Sequence, residues 1–203
     1  LQDLGKYEEA LLSLNTALSL KPDYAEAHNN IGLVARELGN FEEALTSFKQ
    51  ALSLNPKYAE AHNNIGLVFQ TLGNLDEAVK CHSKALTLKP NYIEAYNNLG
   101  NALKSRGSLN EAIQAYDKAL SIRPDFAQAR NNLGLALQDC GNLDEAIEAF
   151  TKTLSLSPGF VEAHHNLGNA LSEIGKLDEA KDALLKTVSL KPDYAEAHYN
   201  LGN

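Results

Sequence analysis

A period of 34 residues governs this chain. The octet AEAHNNIG at residues 25–32 returns as AEAHNNIG at 59, IEAYNNLG at 93, AQARNNLG at 127, VEAHHNLG at 161 and AEAHYNLG at 195. A unit this short cannot close a core of its own. Each copy has to bury its apolar face against the next, which makes a linear array. Aligned on the prolines that close each copy (Pro22, Pro56, Pro90, Pro124, Pro158 and Pro192), the chain resolves into seven pieces. These are a partial repeat over 1–24, full repeats over 25–58, 59–92, 93–126, 127–160 and 161–194, and a partial repeat over 195–203. The 203 residues thus read as a single array. There is no initiator methionine and both ends fall inside a repeat, so an excerpt of a longer protein is expected.

Each repeat spells two helices and no strand. In the first, Ala27, Ile31, Val34 and Leu38 recur at helical spacing. Asp23 with Glu26, Asn91 with Glu94, and Asp193 with Glu196 have the spacing of a capping box, as do Asn40 with Glu43, Asn74 with Glu77, Ser108 with Glu111 and Asn142 with Glu145 at the second helix. Gly39, Gly73, Gly107, Gly141 and Gly175 stand where a left-handed residue ends the first helix. Loops this short predict antiparallel neighbours. Gly32, Gly66, Gly100, Gly134 and Gly168 recur inside the first helix, and Ala44, Ala78, Ala112, Ala146 and Ala180 inside the second. A mid-helix glycine costs up to about 1 kcal/mol relative to alanine, so its recurrence predicts a close helix crossing. The fold class is all-α, an α-solenoid of antiparallel helix pairs.

A net charge of −8 and a pI near 5.2 argue against nucleic acid and anionic membrane surfaces as partners. No apolar run is long enough to span a bilayer. Cys81 and Cys140 lie in different repeats and are not expected to pair, which fits a reducing compartment such as the cytoplasm.

The feature that packing does not account for is an asparagine two residues before the glycine in every copy: Asn30, Asn64, Asn98, Asn132, Asn166 and Asn200. Asparagine is unfavourable inside a helix because its amide competes for backbone. An amide carries two donors and an acceptor, which suits a peptide group. The column therefore reads as a surface for extended polypeptide. Hydrogen bonding between repeats is the other use of the same amide, and one residue can do both.

His62, Ile65, Gly66, Phe69, Ala78, His82, Ala85 and Pro90 fill the set offsets of the tetratricopeptide repeat, which the chain resembles over its whole length. With its asparagine column it is similar to the superhelical tetratricopeptide region of O-linked N-acetylglucosamine transferases and related bacterial proteins. That resemblance implies a right-handed superhelix whose inner face is lined by first-helix positions 2, 5, 6, 9, 12 and 13, with the asparagine ladder gripping a peptide backbone. Carried onto this sequence, the implied peptide-binding residues are the six ladder asparagines, their neighbours Asn29, Asn63, Asn97 and Asn131, and Asn101 and Asn169 at position 9. On the same stripe Glu26, Glu37, Glu60, Glu94, Asp139, Glu162 and Glu173 face only Arg36 and Lys104, so clients are expected to be neutral to basic. The carboxylate clamp of some tetratricopeptide domains needs Lys or Arg at positions 2, 5 or 6, and those positions hold none. Thr153 and Thr187 replace the usual alanine late in the second helix, and Lys181 and Asp182 follow Ala180, which together mark the last full repeat as the least regular packer.

No catalytic constellation is legible, and no cofactor or metal is expected. His28, His62, His164 and His198 share one repeat position, a whole helix pair apart, which is too far for co-ligation at about 2.1 Å and reads as packing. The expected function is a non-catalytic scaffold that binds extended or disordered protein segments. The alternatives are a substrate-recruiting arm of a larger glycosyltransferase-type enzyme, and a self-assembling scaffold whose incomplete end repeats leave apolar surface uncovered.

Overall fold

A computed structural model describes the backbone of residues 2–202 and side chains from Lys6 onward. Among the described residues all regular structure is α-helical. The helices are α1 (Gln2–Leu20), α2 (Ala25–Glu37), α3 (Phe41–Leu54), α4 (Ala59–Thr71), α5 (Leu75–Leu88), α6 (Ile93–Ser105), α7 (Leu109–Ile122), α8 (Ala127–Asp139), α9 (Leu143–Leu156), α10 (Val161–Glu173), α11 (Leu177–Leu190) and α12 (Ala195–Leu201). The chain forms two compact units, residues 1–102 and 103–203, with the boundary inside α6. In the first, α1 packs on α2, α2 on α3, α3 on α4 and α4 on α5. In the second, α7 packs on α8, α8 on α9, α9 on α10, α10 on α11 and α11 on α12. The first helices of successive repeats also touch, α2 with α4 and α8 with α10. Consecutive packing of helix pairs is the arrangement the period demands.

The turn inside each repeat is set by glycine. Gly39, Gly73, Gly107, Gly141 and Gly175 have φ between 75° and 85°, which a Cβ disfavours. Around Gly39 the Asn40 N–H donates to Ala35 O at 2.8 Å and the Gly39 N–H to Arg36 O at 3.0 Å, the paired bonds of a Schellman ending.

The start signals are different from those the capping boxes imply. The cap of α2 is Tyr24 and that of α12 is Tyr194, so Asp23 and Asp193 stand one residue outside; Asn91 likewise precedes Tyr92 ahead of α6. Asn40, Asn74, Ser108 and Asn142 do occupy the caps of the second helices, yet none makes a side-chain cap bond. Their ψ lies between 62° and 69°, short of the extended values that swing a cap oxygen over the first turn. Helix α1 also runs through Gly5, where the repeat register expects a turn.

The glycines inside the first helices do mark a close crossing. A Cβ added to Gly32 would lie 2.6 Å from the Phe48 ring, one on Gly66 2.6 Å from His82, one on Gly134 2.5 Å from Phe150, and one on Gly168 2.7 Å from Leu184. The large residue of the second helix therefore seats directly on the glycine of the first. Phe48, His82 and Phe150 are fully buried there, with Ala44, Ala78 and Ala146 packed tight beside them. Thr153 and Thr187 pack as well as alanine: each is fully buried and its hydroxyl donates to a carbonyl one turn back, Ala149 O at 2.8 Å and Ala183 O at 3.1 Å.

Candidate functional site

The asparagines form two adjacent columns with different fates. Asn29, Asn63, Asn97 and Asn131 are buried, none more than 7 % exposed. Their carbonyls serve the stack. Asn64 Nδ2 donates to Asn29 Oδ1 at 3.0 Å, Asn98 Nδ2 to Asn63 Oδ1 at 3.1 Å, and Asn166 Nδ2 to Asn131 Oδ1 at 3.1 Å. Each bond joins one repeat to the preceding repeat. The inner column is thus largely taken up in the stack, although Asn131 also lines a cleft of the second unit. The ladder column bridges: one amide hydrogen is used inward, while the Oδ1 atoms of Asn64, Asn98 and Asn166 accept from no described residue. Asn30 is exposed, Asn98, Asn166 and Asn200 are half-buried, and Asn64 and Asn132 retain 8 % exposure each.

The pattern changes at the end of the chain, because His165 and Tyr199 stand in the inner column. Asn200 Nδ2 bonds His165 Nε2 at 3.3 Å and Asn169 Oδ1 at 2.7 Å. Asn169 and Asn200 line a cavity of about 620 Å³ with Gln138, Glu173, Leu177 and Leu184. Asn101 lines one of about 440 Å³ with Arg36, Leu67, Gln70 and Thr71. A third cleft, of about 340 Å³, is built from Gln128, Asn131, Asn132, Leu135, Phe160, Glu162, Asn166 and Tyr194.

Several acids of the stripe carry a cation of their own. Lys89 Nζ lies 2.6 Å from Glu60, Lys104 Nζ 3.0 Å from Asp139, and Arg36 Nη2 2.7 Å from Glu37. Burial pushes the Glu60 carboxyl up, and the Lys89 ammonium outweighs it and holds the group below its ordinary value. Gln138 donates to Glu173. Exposed pairs of this kind contribute little stability, but they mute the acidic field the stripe would otherwise project.

The recurrent histidines hold loops. His62 Nε2 meets Pro56 O at 3.4 Å, His164 Nε2 meets Pro158 O at 2.9 Å, His198 Nε2 meets Pro192 O at 2.9 Å, and Arg130 Nη2 donates to Pro124 O at 2.7 Å. They are half-buried or exposed, tying each first helix to the loop before it, and they are not core packing. Among the described residues no cluster of three His, Cys, Asp or Glu could hold a metal, and no helix is long and apolar enough to cross a membrane. Cys81 and Cys140 are free thiols, and burial pushes the Cys81 thiol up to about 11.

A further column shares the period of the asparagines. An aromatic residue precedes every first helix: Tyr24, Tyr58, Tyr92, Phe126, Phe160 and Tyr194. Phe160 and Tyr194 wall the asparagine cleft of the second unit. Burial, with Glu60 and Glu94 nearby, pushes the Tyr92 hydroxyl up to about 12. A cation three residues upstream covers four of these rings: Lys21 over Tyr24 at 4.7 Å, Lys89 over Tyr92 at 4.6 Å, Arg123 over Phe126 at 5.2 Å and Lys191 over Tyr194 at 5.2 Å. The signal is present in the sequence, since this column has the same period as the asparagines.

Comparison with known proteins adds independent evidence. A model described as TPR repeat matches residues 1–35, 34–73 and 100–140, and models described as tetratricopeptide repeat match 59–92, 83–114 and 137–203. No curated protein sequence matches. Among solved structures, MamA is 31 % identical, with 82 % of this chain and 97 % of that one covered and a TM-score of 0.73. YrrB, described as a TPR protein with an unusual peptide-binding site, is 23 % identical, with 94 % and 98 % covered and a TM-score of 0.74. PilW, a type IV pilus biogenesis factor, is 24 % identical, with 98 % and 93 % covered and a TM-score of 0.88.

Proposed function

The chain belongs to the tetratricopeptide-repeat family, and from that premise we propose that it is a non-catalytic interaction scaffold whose asparagine ladder holds the main chain of an extended protein segment. The observation that carries the reading is the half-used amide. Asn98 and Asn166 fix their orientation by donating to the preceding repeat, and their Oδ1 atoms accept from no described residue, which leaves an acceptor that suits a main-chain N–H. An amide already held in place loses little further freedom when a ligand binds. That a similar fold, YrrB, is described with a peptide-binding site supports the same reading.

Magnitudes set its character. A net neutral hydrogen bond contributes about 0.5–1.5 kcal/mol, and ordering one client residue costs about 1–2 kcal/mol. Main-chain pairing alone therefore does little better than break even, so recognition is weak and tolerant of client sequence. Glu26 and Glu162, which have no ion-pair partner among the described residues, favour neutral to basic clients. An arm that recruits substrates for a glycosyltransferase-type domain would use the same groove within a longer chain.

The test is titration of an uncharged, unstructured peptide into wild type and the Asn64→Ala/Asn98→Ala variant, both in the first unit, with circular dichroism on both. Loss of two bonds predicts about a tenfold weaker complex at unchanged helicity. Equal affinities would reject the ladder.

A further inference from the structure

The aromatic column shows what its rings accept. Between Glu60 and Tyr92 lies the Lys89 ammonium, 2.6 Å from the carboxylate and 4.6 Å from the ring centroid. The equivalent residues in the second unit are Gln128, Phe160 and, in place of the lysine, Ser157. A serine is too short to reach the ring, and the cleft of about 340 Å³ opens there, with Gln128 and Phe160 among its walls. Lys191 already covers the Tyr194 wall at 5.2 Å, and the walls on the Phe160 side offer acceptors for a second cation. Gln128 Nε2 donates to Asn132 Oδ1 at 3.2 Å, which turns Gln128 Oε1 into an available acceptor. Glu162 adds a carboxylate with no ion-pair partner among the described residues. Asn166, the ladder amide, lines the same cleft, so a side chain entering it would hang from a main chain on the ladder.

We propose that the cleft between Gln128, Phe160 and Glu162 is a specificity pocket for an arginine side chain of the bound segment. The guanidinium plane stacks on the Phe160 ring while its N–H groups reach Gln128 Oε1 and the Glu162 carboxylate. Arginine suits it better than lysine, because a planar fork stacks on the ring and donates to two acceptors at once. The inference rests on the groove reading above and adds a side-chain preference to it.

The experiment compares two blocked, unstructured peptides that differ at one central residue, arginine in one and its neutral isostere citrulline in the other. Wild type is expected to bind the arginine peptide about five- to tenfold tighter, the range of a partly desolvated cation–π contact. Two variants should each erase that difference by weakening the arginine peptide down to the affinity of the citrulline peptide. Phe160→Leu with Glu162→Gln removes the ring and the carboxylate. Ser157→Lys supplies an internal cation where four other repeats already carry one, so folding is not at risk. A wild type that binds both peptides equally overturns the pocket and leaves the groove standing. A wild type that binds neither overturns both. An arginine preference that survives in Ser157→Lys also overturns the assignment.

Discussion

Asn64 donates its side-chain N–H to the buried carbonyl of Asn29 across 3.0 Å, from one repeat to the one before. A residue proposed to meet clients therefore also holds the stack together. Removing either partner strands the other: Asn29 Oδ1 is in a residue only 4 % exposed. Asn64→Ala is expected to lower stability by about 1–3 kcal/mol, the cost of an unpaired buried polar group. A double-mutant cycle with Asn29→Ala should return a coupling of about 1 kcal/mol by denaturant unfolding. Additive effects would show that the bond contributes nothing.

His82 sits where other repeats place Phe48, Tyr116, Phe150 and Leu184. It is fully buried, its Nδ1 lies 2.9 Å from Asn63 Oδ1, and its Nε2 has no partner among the described residues. The acceptor opposite makes Nδ1 the protonated nitrogen. Burial pushes its pKa down from the ordinary 6.5 to about 4. The unfolded chain then binds a proton between those values that the folded chain refuses. Stability is full above pH 6.5 and falls as pH drops towards 4, by about 3 kcal/mol. His82→Phe should abolish that loss and raise stability at neutral pH by about 1 kcal/mol. Unfolding midpoints of both proteins from pH 7.5 to 4 test it, and parallel curves would contradict it.

Gly134 to alanine removes a helix-breaking residue, a gain of up to about 1 kcal/mol by propensity. Against that, the new Cβ would stand 2.5 Å from the Phe150 ring, which is fully buried and has nowhere to go. Overpacking costs about 1–3 kcal/mol, so the clash wins and the variant unfolds at lower denaturant. Gly159 is the control. A Cβ added there would meet nothing within 4 Å, so Gly159→Ala should be neutral within about 0.5 kcal/mol.

What the sequence disclosed was whatever repeats with the period and acts along one helix. Helix pairs, turn glycines and a close crossing at Gly32 all follow from recurrence at 34 residues, while the seating of Phe48 on that glycine is seen only in the structure. Sorting Asn29 from Asn30 was beyond it. Adjacent residues differ by about 100° around a helix, and which of them faces the neighbouring repeat depends on how two helices are rotated against each other. The caps failed for a related reason: a cap bond depends on ψ at Asn40, which the Schellman turn before it sets and composition does not. The aromatic column is periodic and so legible in principle. Tyrosine and phenylalanine close behind a proline look like loop packing, however, and only the cleft geometry links Phe160 to Asn166.

Self-association is the remaining expectation, and its size can be bounded. In the second unit Leu177 is 67 % exposed, Leu185 48 % and Tyr199 72 %, on or beside the face that holds the cavity of about 620 Å³. A repeat stacked on α11 and α12 would cover such residues, and a second copy of the chain could do the same. A specific interface generally buries about 1,200 Å² or more, and a few side chains fall short of that. Any complex is therefore weak, forming at concentrations of about 10 µM or above. Sedimentation equilibrium should show a mass that rises with concentration, and Leu177→Lys with Leu185→Glu should return it to a monomer without a change in helicity. Leu177 shares its cavity with Asn169 and Asn200, so peptide affinity is measured with Leu185→Glu alone, which should leave it untouched; a parallel loss of binding would mean that this face, and not the ladder, is where clients dock.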